Sequence, residues 1–561
     1  MHKRLSQFIY IVPLLFLVLF FFYPLYSIFA LSLAPEGILD LRPLRVLISE
    51  SYYARVLWFT VWQATVSTLL TLLLGLPAAF VFARYEFRGK SLLRALTTIP
   101  FVLPTMVVAT AFTSLLGARG RLGGWLMAIF NLSASPIDIQ HTIWLILLAH
   151  VFYNVTIIVR IVGGFWANLD PRQADAARVL GAGRWQVFRE ITLPLLGPAI
   201  VAAALLVYLF CFTSFGVILV LGGPRFATLE VEIYRQAVHL FHLPLAAALG
   251  IVQMVFTFVI MAFYTRLQAR LAVPIEFRPQ RATHRRPTRW RDRFLVAACL
   301  GGMLLLLLSP LAALAERSFS LGGRYDLHYY RELFVNRTQS IFFVPPAEAI
   351  RNSLIFGAAT VALALVVGTI SAYLLAPSQR RGRADIGRHR AFLDPLFMLP
   401  LGTSAVTLGF GYIIALDEPP LNLRTSPLLV PLAHTLVAFP FVVRTLLPVL
   451  RGMNPHLREA AAVMGASPLR VVREIDLPIL FRALLVGAVF AFTVSMGEFG
   501  ATVLIARPQF PTMPVAIFRF LGQPGLLNYG QALAMSTLLM AVCAAGFLLI
   551  ERFRIGDVGE F

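Results

Sequence analysis

Charge is what this sequence has least of. Asp, Glu, Lys and Arg make up 13% of the 561 residues, whereas 58% of the residues are hydrophobic. A soluble domain carries about 25% charged residues. This composition excludes an ordinary soluble protein and indicates a chain that crosses a membrane many times.

Cysteines and catalytic motifs are also scarce. The three cysteines, Cys211, Cys299 and Cys543, all lie within apolar runs, which predicts packing and not disulfides. The sequence has no Gly-x-x-x-x-Gly-Lys-Ser/Thr phosphate loop, so we do not expect it to bind ATP. It also has no Cys/His cluster with metal-ligand spacing and no nucleophile constellation. We therefore do not expect an enzyme, and we expect no catalytic residue, metal or cofactor.

Twelve apolar runs are present, each near the roughly 20 residues that a spanning helix needs. Their approximate bounds are 8–33, 56–83, 95–116, 142–163, 195–221, 245–265, 294–315, 350–376, 391–416, 428–450, 480–506 and 530–550. They predict an all-α polytopic membrane protein. The run at 391–416 is interrupted by Pro395 and Pro400.

The net charge of +21 is concentrated in short loops between these runs. A basic excess beside spanning helices marks the cytoplasmic side, so the charge indicates orientation and we expect no nucleic-acid partner. With twelve spans, both termini and the main basic stretches fall on one face. These stretches are His2–Arg4, Arg84–Arg94, 266–293 and Arg380–Arg390.

The two halves of the chain repeat each other. A shift of 284 residues superposes His150 on His434 and Phe215-Gly216 on Phe499-Gly500, and near the start of each half the shift is 293. An even number of spans per half predicts parallel repeats related by a pseudo-two-fold axis along the membrane normal. We expect a first repeat at 1–265, a basic cytoplasmic linker at 266–293 and a second repeat at 294–561. The linker composition is also compatible with lipid binding.

Two polar islands, at 170–194 and 454–478, are the most similar parts of the two repeats. Each has an acid, two alanines, a glycine six places after the acid, then Arg-Glu-Ile and Leu-Pro. Pro171 and Pro455 are suited to begin a short helix, and the glycine is suited to end it in a left-handed turn. A second short helix is expected over 184–192 and 468–476, before Leu-Pro marks the next span. Charge and span parity place both islands in the cytoplasm.

This spacing resembles the signature loop of permease subunits in binding-protein-dependent ABC importers. The resemblance implies type I permease topology, in which the loop docks on a separate ATPase subunit. It implies a multi-pass protein of a prokaryotic inner membrane, bound to two ATPase copies and served by an extracytoplasmic binding protein. The residues implied in docking are Asp175, Ala176, Ala177, Gly181, Glu459, Ala460, Ala461 and Gly465.

The substrate is less well indicated. Fused two-repeat permeases of this layout resemble the thiamine and ferric-iron groups, and stretches such as Leu221-Gly222-Gly223-Pro224 are more similar to the thiamine group. Gly497-Glu498-Phe499-Gly500 resembles molybdate and sulfate permeases as well. Thiamine or its phosphates, ferric iron, and a sulfate-like anion all stay open. A secondary transporter driven by an ion gradient is the alternative of another class.

Three polar residues inside predicted spans are candidates for the translocation path. Glu498 lies within the run 480–506, Ser214 occupies the matching place in the first repeat, and Asn154 lies in the fourth run. Ionisable residues within a membrane are functional candidates by default. The competing interpretation is helix packing, because glycines beside Glu498 allow backbones to approach closely.

Overall fold

The computed structural model describes residues 11–35, 37–118, 120–271, 286–335, 344–376, 393–417, 419 and 421–553. The N-terminal basic residues, the central part of the predicted linker, and the basic loop around Arg380–Arg390 lie outside the described residues. So does the C-terminal segment from residue 554 onwards.

Helices dominate the described residues, as the apolar runs predict. In chain order through the first repeat they are α1 Ile11–Leu33, α2 Arg42–Ser49, α3 Ser51–Arg84, α4 Lys90–Val102, α5 Thr105–Leu116, α6 Arg121–Phe130, α7 Ile143–Asn168, α8 Pro171–Val179, α9 Arg184–Phe212, α10 Leu229–Tyr234 and α11 Leu243–Leu271. Short helical turns at Ile218–Gly222, Gly223–Arg225 and Arg235–His239 complete this part.

The second repeat follows the same order. Its helices are α12 Trp290–Phe319, α13 His328–Arg331, α14 Pro346–Leu375, α15 Leu393–Gly402, α16 Ala405–Ala415, α17 Leu429–Gly452, α18 Pro455–Val463, α19 Pro468–Gly497, α20 Thr502–Ile505, α21 Met513–Leu521 and α22 Leu526–Phe553. A helical turn at Glu332–Phe334 and two strands, β1 Ser320–Leu321 and β2 Arg324–Tyr325, are the remaining elements.

Ten helices of the described part are long and apolar enough to cross a membrane, and the count reaches twelve if each of two bent pairs is one span. The chain is therefore an all-α polytopic membrane protein, as predicted, and counting each bent pair as one span gives six spans in each sequence repeat.

The bent pairs replace two spans that the sequence predicts as single helices, 95–116 and 391–416. The chain turns by 98° between α4 and α5, and by 96° between α15 and α16. Leu103 is extended because it precedes Pro104, and a residue before proline disfavours the helical conformation. In the second pair, the hydroxyl of Ser404 accepts from the Thr407 N–H at 3.2 Å and starts the new helix. The two bends therefore occur at matching places for different local reasons.

Two further predicted spans, 195–221 and 480–506, are also broken. Helix α9 ends at Phe212 and α19 ends at Gly497. The next residues, Thr213 and Glu498, leave the regular helix one position apart under the 284-residue shift, which pairs Ser214 with Glu498. Glu498 therefore lies at a break between helices and not in the middle of one.

The chain divides into two compact units that do not follow the sequence repeats. One unit contains Met1–Leu44, Ile233–Ile251 and Arg324–Phe561, and the other contains Arg45–Glu232 and Val252–Gly323. In the first unit, α1 packs against α16, and the Tyr412 hydroxyl donates to the Phe20 carbonyl at 2.9 Å. In the second unit, α12 packs against α5 and α3. The first helix of each sequence repeat is thus assigned to the unit that holds the body of the other repeat.

Close packing inside each unit depends on a matched glycine. A Cβ added to Gly75 of α3 would lie 2.7 Å from Ile158 of α7, and one added to Gly368 of α14 would lie 2.7 Å from Val442 of α17. These positions correspond under the repeat shifts. In a membrane, small residues permit the close helix approach from which association energy comes.

Candidate functional site

The two polar islands form what we call the docking loops, residues 170–194 and 454–478. Their first helices, α8 and α18, begin at Pro171 and Pro455, where the sequence predicts a start. The side chains just before them cap the helices. Asp170 accepts from the Arg172 N–H, and Asn454 accepts from the His456 N–H, both at 3.0 Å.

Each short helix ends as the glycine predicts. Gly181 has φ +92° and Gly465 has φ +81°, both in the left-handed region. In the first loop the Ala182 N–H donates to the Ala177 carbonyl at 3.0 Å, and in the second the Ala466 N–H donates to the Ala461 carbonyl at 3.0 Å. This is a Schellman motif. Glycine adopts the left-handed conformation without steric strain, and the carbonyl of the second alanine of the motif accepts the hydrogen bond.

The prediction of a separate second short helix in each loop is wrong in one respect. It begins where predicted, at Arg184 and Pro468, but it runs without interruption into the next span. A five-residue π-helical segment, Phe188–Thr192 or Val472–Asp476, comes directly before each Leu-Pro. Proline has no backbone N–H to donate to the preceding turn. The π turn shifts the backbone hydrogen-bond pattern by one residue at this point, so the proline does not end the helix.

The acids of the motif form local contacts at the surface, an ion pair in the first loop and a hydrogen bond to histidine in the second. Asp175 lies 3.0 Å from Arg178, and Glu459 lies 2.9 Å from Nδ1 of His456. Both carboxylates are about half exposed. Ala176 and Ala460 are exposed, and Ala177 and Ala461 are partly buried, so the two loops present the same residues in the same way.

Large apolar side chains are exposed at matching positions on both docking loops. Val179 and Leu180 are 87% and 88% exposed, and their counterparts Val463 and Met464 are 89% and 86% exposed. The next helix adds a third exposed pair, Trp185 and Leu469. Exposed apolar patches rimmed by polar residues mark interaction sites. Each loop thus presents an apolar surface suited to contact another protein.

A second set of polar residues lies buried inside the spans of the first repeat. His150 of α7 is central: its Nδ1 lies 2.9 Å from the Ser67 hydroxyl, and its Nε2 lies 2.9 Å from the Ser214 hydroxyl. The Asn154 amide donates to the His150 carbonyl at 2.8 Å. Ser67, His150 and Ser214 therefore tie α3, α7 and the break after α9 together.

The second repeat has a corresponding cluster around His434. Its Nδ1 lies 2.7 Å from the Ser495 hydroxyl, and its Nε2 lies 2.8 Å from the Thr502 hydroxyl and 3.4 Å from Glu498 Oε2. The Ser495 hydroxyl also donates to the Thr360 hydroxyl at 3.3 Å.

Glu498 is held by the backbone of its own segment. Its Oε1 accepts from the Ala501 N–H at 2.8 Å, and its Oε2 accepts from the Thr502 N–H at 3.0 Å and from the Thr502 hydroxyl. The side chain is buried. It therefore caps α20, and both carboxylate oxygens are engaged in doing so.

The sequence repeat anticipates part of these clusters. The match of His150 with His434, and of Ser214 with Glu498, follows from the 284-residue shift. Ser67 and Thr360 were missed, although the 293-residue shift that aligns Gly75 with Gly368 also aligns them. The sequence signal that could have identified them is a hydroxyl side chain at the same place in both repeats. Such a match is informative because the neighbouring residues are apolar.

The spans, the repeat and the exposed loops define a multi-pass membrane protein built from two similar halves. A family model described as "Binding-protein-dependent transport system inner membrane component" matches residues 71–273 and 387–554, which is more than half of the chain. The chain belongs to this family, and it is therefore a transport component of the inner membrane.

Similarity to characterised relatives extends over most of the length. The thiamine transport system permease protein ThiP of Salmonella typhimurium is 26% identical over 513 residues, 90% of this chain and 89% of that protein. The protein of the same name from Brucella abortus is 28% identical over 509 residues, 90% of this chain and 88% of that protein. A solved bacterial ABC transporter involved in alginate import aligns with 48% of this chain and 97% of its own chain, at 17% identity and a TM-score of 0.40.

Proposed function

We propose that this chain is the membrane subunit of an ATP-driven importer for thiamine or its phosphates. The support for the substrate is the similarity, along about 90% of the chain, to relatives named as thiamine transport permeases. The support for import is the family itself, whose members are components of binding-protein-dependent transport systems. A binding protein would deliver the substrate from the outer face.

The two docking loops would each receive one copy of a cytoplasmic ATPase. The observation that carries this step is the matched exposure of Val179-Leu180 and Val463-Met464, each beside a left-handed glycine. Residues such as these are costly to leave in water and gain most from burial against a partner. Asp175, Ala176 and Ala177 in the first loop, and Glu459, Ala460 and Ala461 in the second, would lie within the same contacts.

ATP binding and hydrolysis by the partner would move the docking loops and drive alternating access. The chain would supply the pathway and the ATPase would supply the energy, so the chain acts as a transporter subunit and not as an enzyme. The loops and both termini would be cytoplasmic, which agrees with the basic residues beside them.

Glu498, Ser214 and Asn154 would serve the structure of the spans. Each forms hydrogen bonds between or along helices, and both carboxylate oxygens of Glu498 accept hydrogen bonds at the start of α20. Polar side chains of this kind join helices within the membrane. On this proposal they hold the two helix breaks in place beside the pathway and do not bind the substrate.

Purification of the tagged chain from its own membranes tests the assignment. We expect two ATPase copies per chain, and uptake into proteoliposomes that requires ATP and a binding protein. Calorimetry on that binding protein should show tight binding of thiamine or thiamine pyrophosphate and none of ferric iron. Tight ferric-iron binding would remove thiamine as the substrate. Uptake that needs an ion gradient and no ATPase would remove the whole proposal.

A further inference from the structure

The second docking loop contains a buried carboxylate that the first lacks. Asp476 lies in the π segment Val472–Asp476 and is 2% exposed. Its Oδ1 accepts from Arg458 Nε at 2.8 Å, and its Oδ2 accepts from the Tyr373 hydroxyl at 3.0 Å. We call Arg458, Asp476 and Tyr373 the Asp476 latch.

The Asp476 latch joins three helices. Arg458 lies on the docking helix α18, Tyr373 lies near the end of α14, and Asp476 lies in the π segment of α19. The Arg458 guanidinium also lies 5.9 Å from the centroid of the Tyr373 ring. Both carboxylate oxygens are therefore used, and the docking helix is connected by charged hydrogen bonds to two spanning helices.

The matching positions of the first repeat cannot form such a latch. The 284-residue shift places Ala174 at the position of Arg458 and Thr192 at the position of Asp476, and the 293-residue shift places Phe80 at the position of Tyr373. Ala174 and Phe80 have no polar side-chain group, and Thr192 has no charge. The matching positions of the first loop therefore lack both the charged donor and the charged acceptor.

The first repeat has a row of aromatic rings in the same region. Phe80 and Trp166 lie 5.2 Å apart, Trp166 and Phe188 lie 6.3 Å apart, and Phe188 and Trp185 lie 5.6 Å apart between ring centroids. The counterparts of the last three in the second repeat are Leu450, Val472 and Leu469. The row connects α3, α7 and α9, and it includes no residue of the docking helix α8.

We propose that the two docking loops are mechanically unequal, and that the Asp476 latch makes α18 move as one body with α14 and α19. This inference rests on the proposed docking of an ATPase on each loop. Charged hydrogen bonds to a buried carboxylate such as Asp476 favour particular lengths and directions. Aromatic packing tolerates sliding between rings, because several offset geometries are similar in energy. Force applied to α18 therefore passes directly into two spans, whereas Ala174 of α8 cannot form the corresponding ion pair.

Asp476→Asn tests the latch, because it keeps the shape of the side chain and removes its charge. The matched control is Glu348→Gln, which removes a partly exposed carboxylate that lies 2.7 Å from Arg351 at the other end of α14. Amide hydrogen exchange is measured on the purified chain in detergent. We expect exchange in 455–463 to become about tenfold faster in Asp476→Asn, with exchange in 171–179 unchanged and the control equal to wild type.

Transport per ATP hydrolysed is the second measurement, in proteoliposomes with the ATPase and the binding protein. We expect Asp476→Asn to lower this ratio by about threefold to tenfold, because a loosely held docking helix couples ATP hydrolysis less efficiently to movement of the spans. Arg458→Ala should have a similar effect, and the double variant should be no worse than either single one.

The two proposals fail in different ways. If no ATPase binds the wild-type chain, the proposed function is wrong, and the exchange measurement on the chain alone still decides whether the latch holds α18. If exchange in 455–463 is unchanged in Asp476→Asn, or if both docking helices loosen equally, the latch is overturned. The proposal would also be overturned if the double variant lost transport per ATP by the sum of the two single losses. Either single substitution already removes the one interaction that the two residues share.

Discussion

Substitution of Gly465 by valine should separate ATP hydrolysis from transport. Gly465 ends α18 with φ +81°, and a Cβ added to it would have no neighbour within 4 Å. The first side-chain carbon of valine therefore meets no neighbour. The cost of the substitution is confined to the backbone, because an L-residue with a side chain disfavours the left-handed region.

The size of this cost follows from the conformation. A left-handed residue other than glycine costs about 1–2 kcal/mol, and a β-branched residue such as valine is a clear outlier there. A change of that size alters a two-state ratio by a factor of about 5 to 30. Helix α18 has only nine residues, too few to be stable alone, so its last turn should open in a large share of molecules.

Proteoliposomes that contain the chain, its ATPase and its binding protein provide the assay. We expect Gly465→Val to reach the membrane in normal amount, because the spans are untouched. ATP hydrolysis should persist while uptake of labelled thiamine falls by about tenfold, following the loss of the capped helix.

Two controls make the result interpretable. Gly465→Asn should be close to wild type, because asparagine tolerates the left-handed region. Gly452→Val adds the same side chain at the end of α17, where a Cβ also has no neighbour within 4 Å and φ is not positive. Wild-type uptake in Gly465→Val would refute the reasoning. Equal losses in the valine and asparagine variants would show that side-chain bulk on the docking surface matters and not the backbone.

Further variants test packing and capping inside the spans. Gly368→Leu should lower stability in detergent by about 1–3 kcal/mol, because its side chain would enter Val442, which lies 2.7 Å from the added Cβ. Gly301→Leu is its control, since a Cβ there meets nothing within 4 Å, and an equal loss in both would contradict the packing argument. Glu498→Gln should lower thermal stability by about 1–3 kcal/mol, because its amide NH₂ would face a backbone N–H of α20. Glu474→Gln, at an exposed carboxylate, should leave stability unchanged. Unchanged stability with a raised KM in Glu498→Gln would instead indicate that Glu498 contacts the substrate.

The buried clusters show how far a sequence repeat can be used to predict a site. The shift between the halves identifies His150 with His434, but it cannot show which hydroxyls surround each ring. Those hydroxyls come from helices far apart in sequence: Ser67 lies 83 residues from His150 and hydrogen-bonds to it at 2.9 Å. The Asp476 latch was missed for the same reason, because Tyr373 lies 103 residues from Asp476.

The sequence by itself determined the membrane class, the positions of the spans and the form of the docking helices. These features depend on the length of apolar runs and on hydrogen bonds within a few residues, as in the bond from Ala466 to Ala461. The bends after α4 and α15 have local causes at Pro104 and Ser404 that hydropathy does not register, whereas tertiary structure alone decided that α1 and α12 join the unit holding the other repeat. Apolar helix faces look alike in hydropathy, and lipid is as apolar as another helix. Partner choice in a membrane therefore depends on close packing and buried hydrogen bonds between distant segments, which no local pattern records.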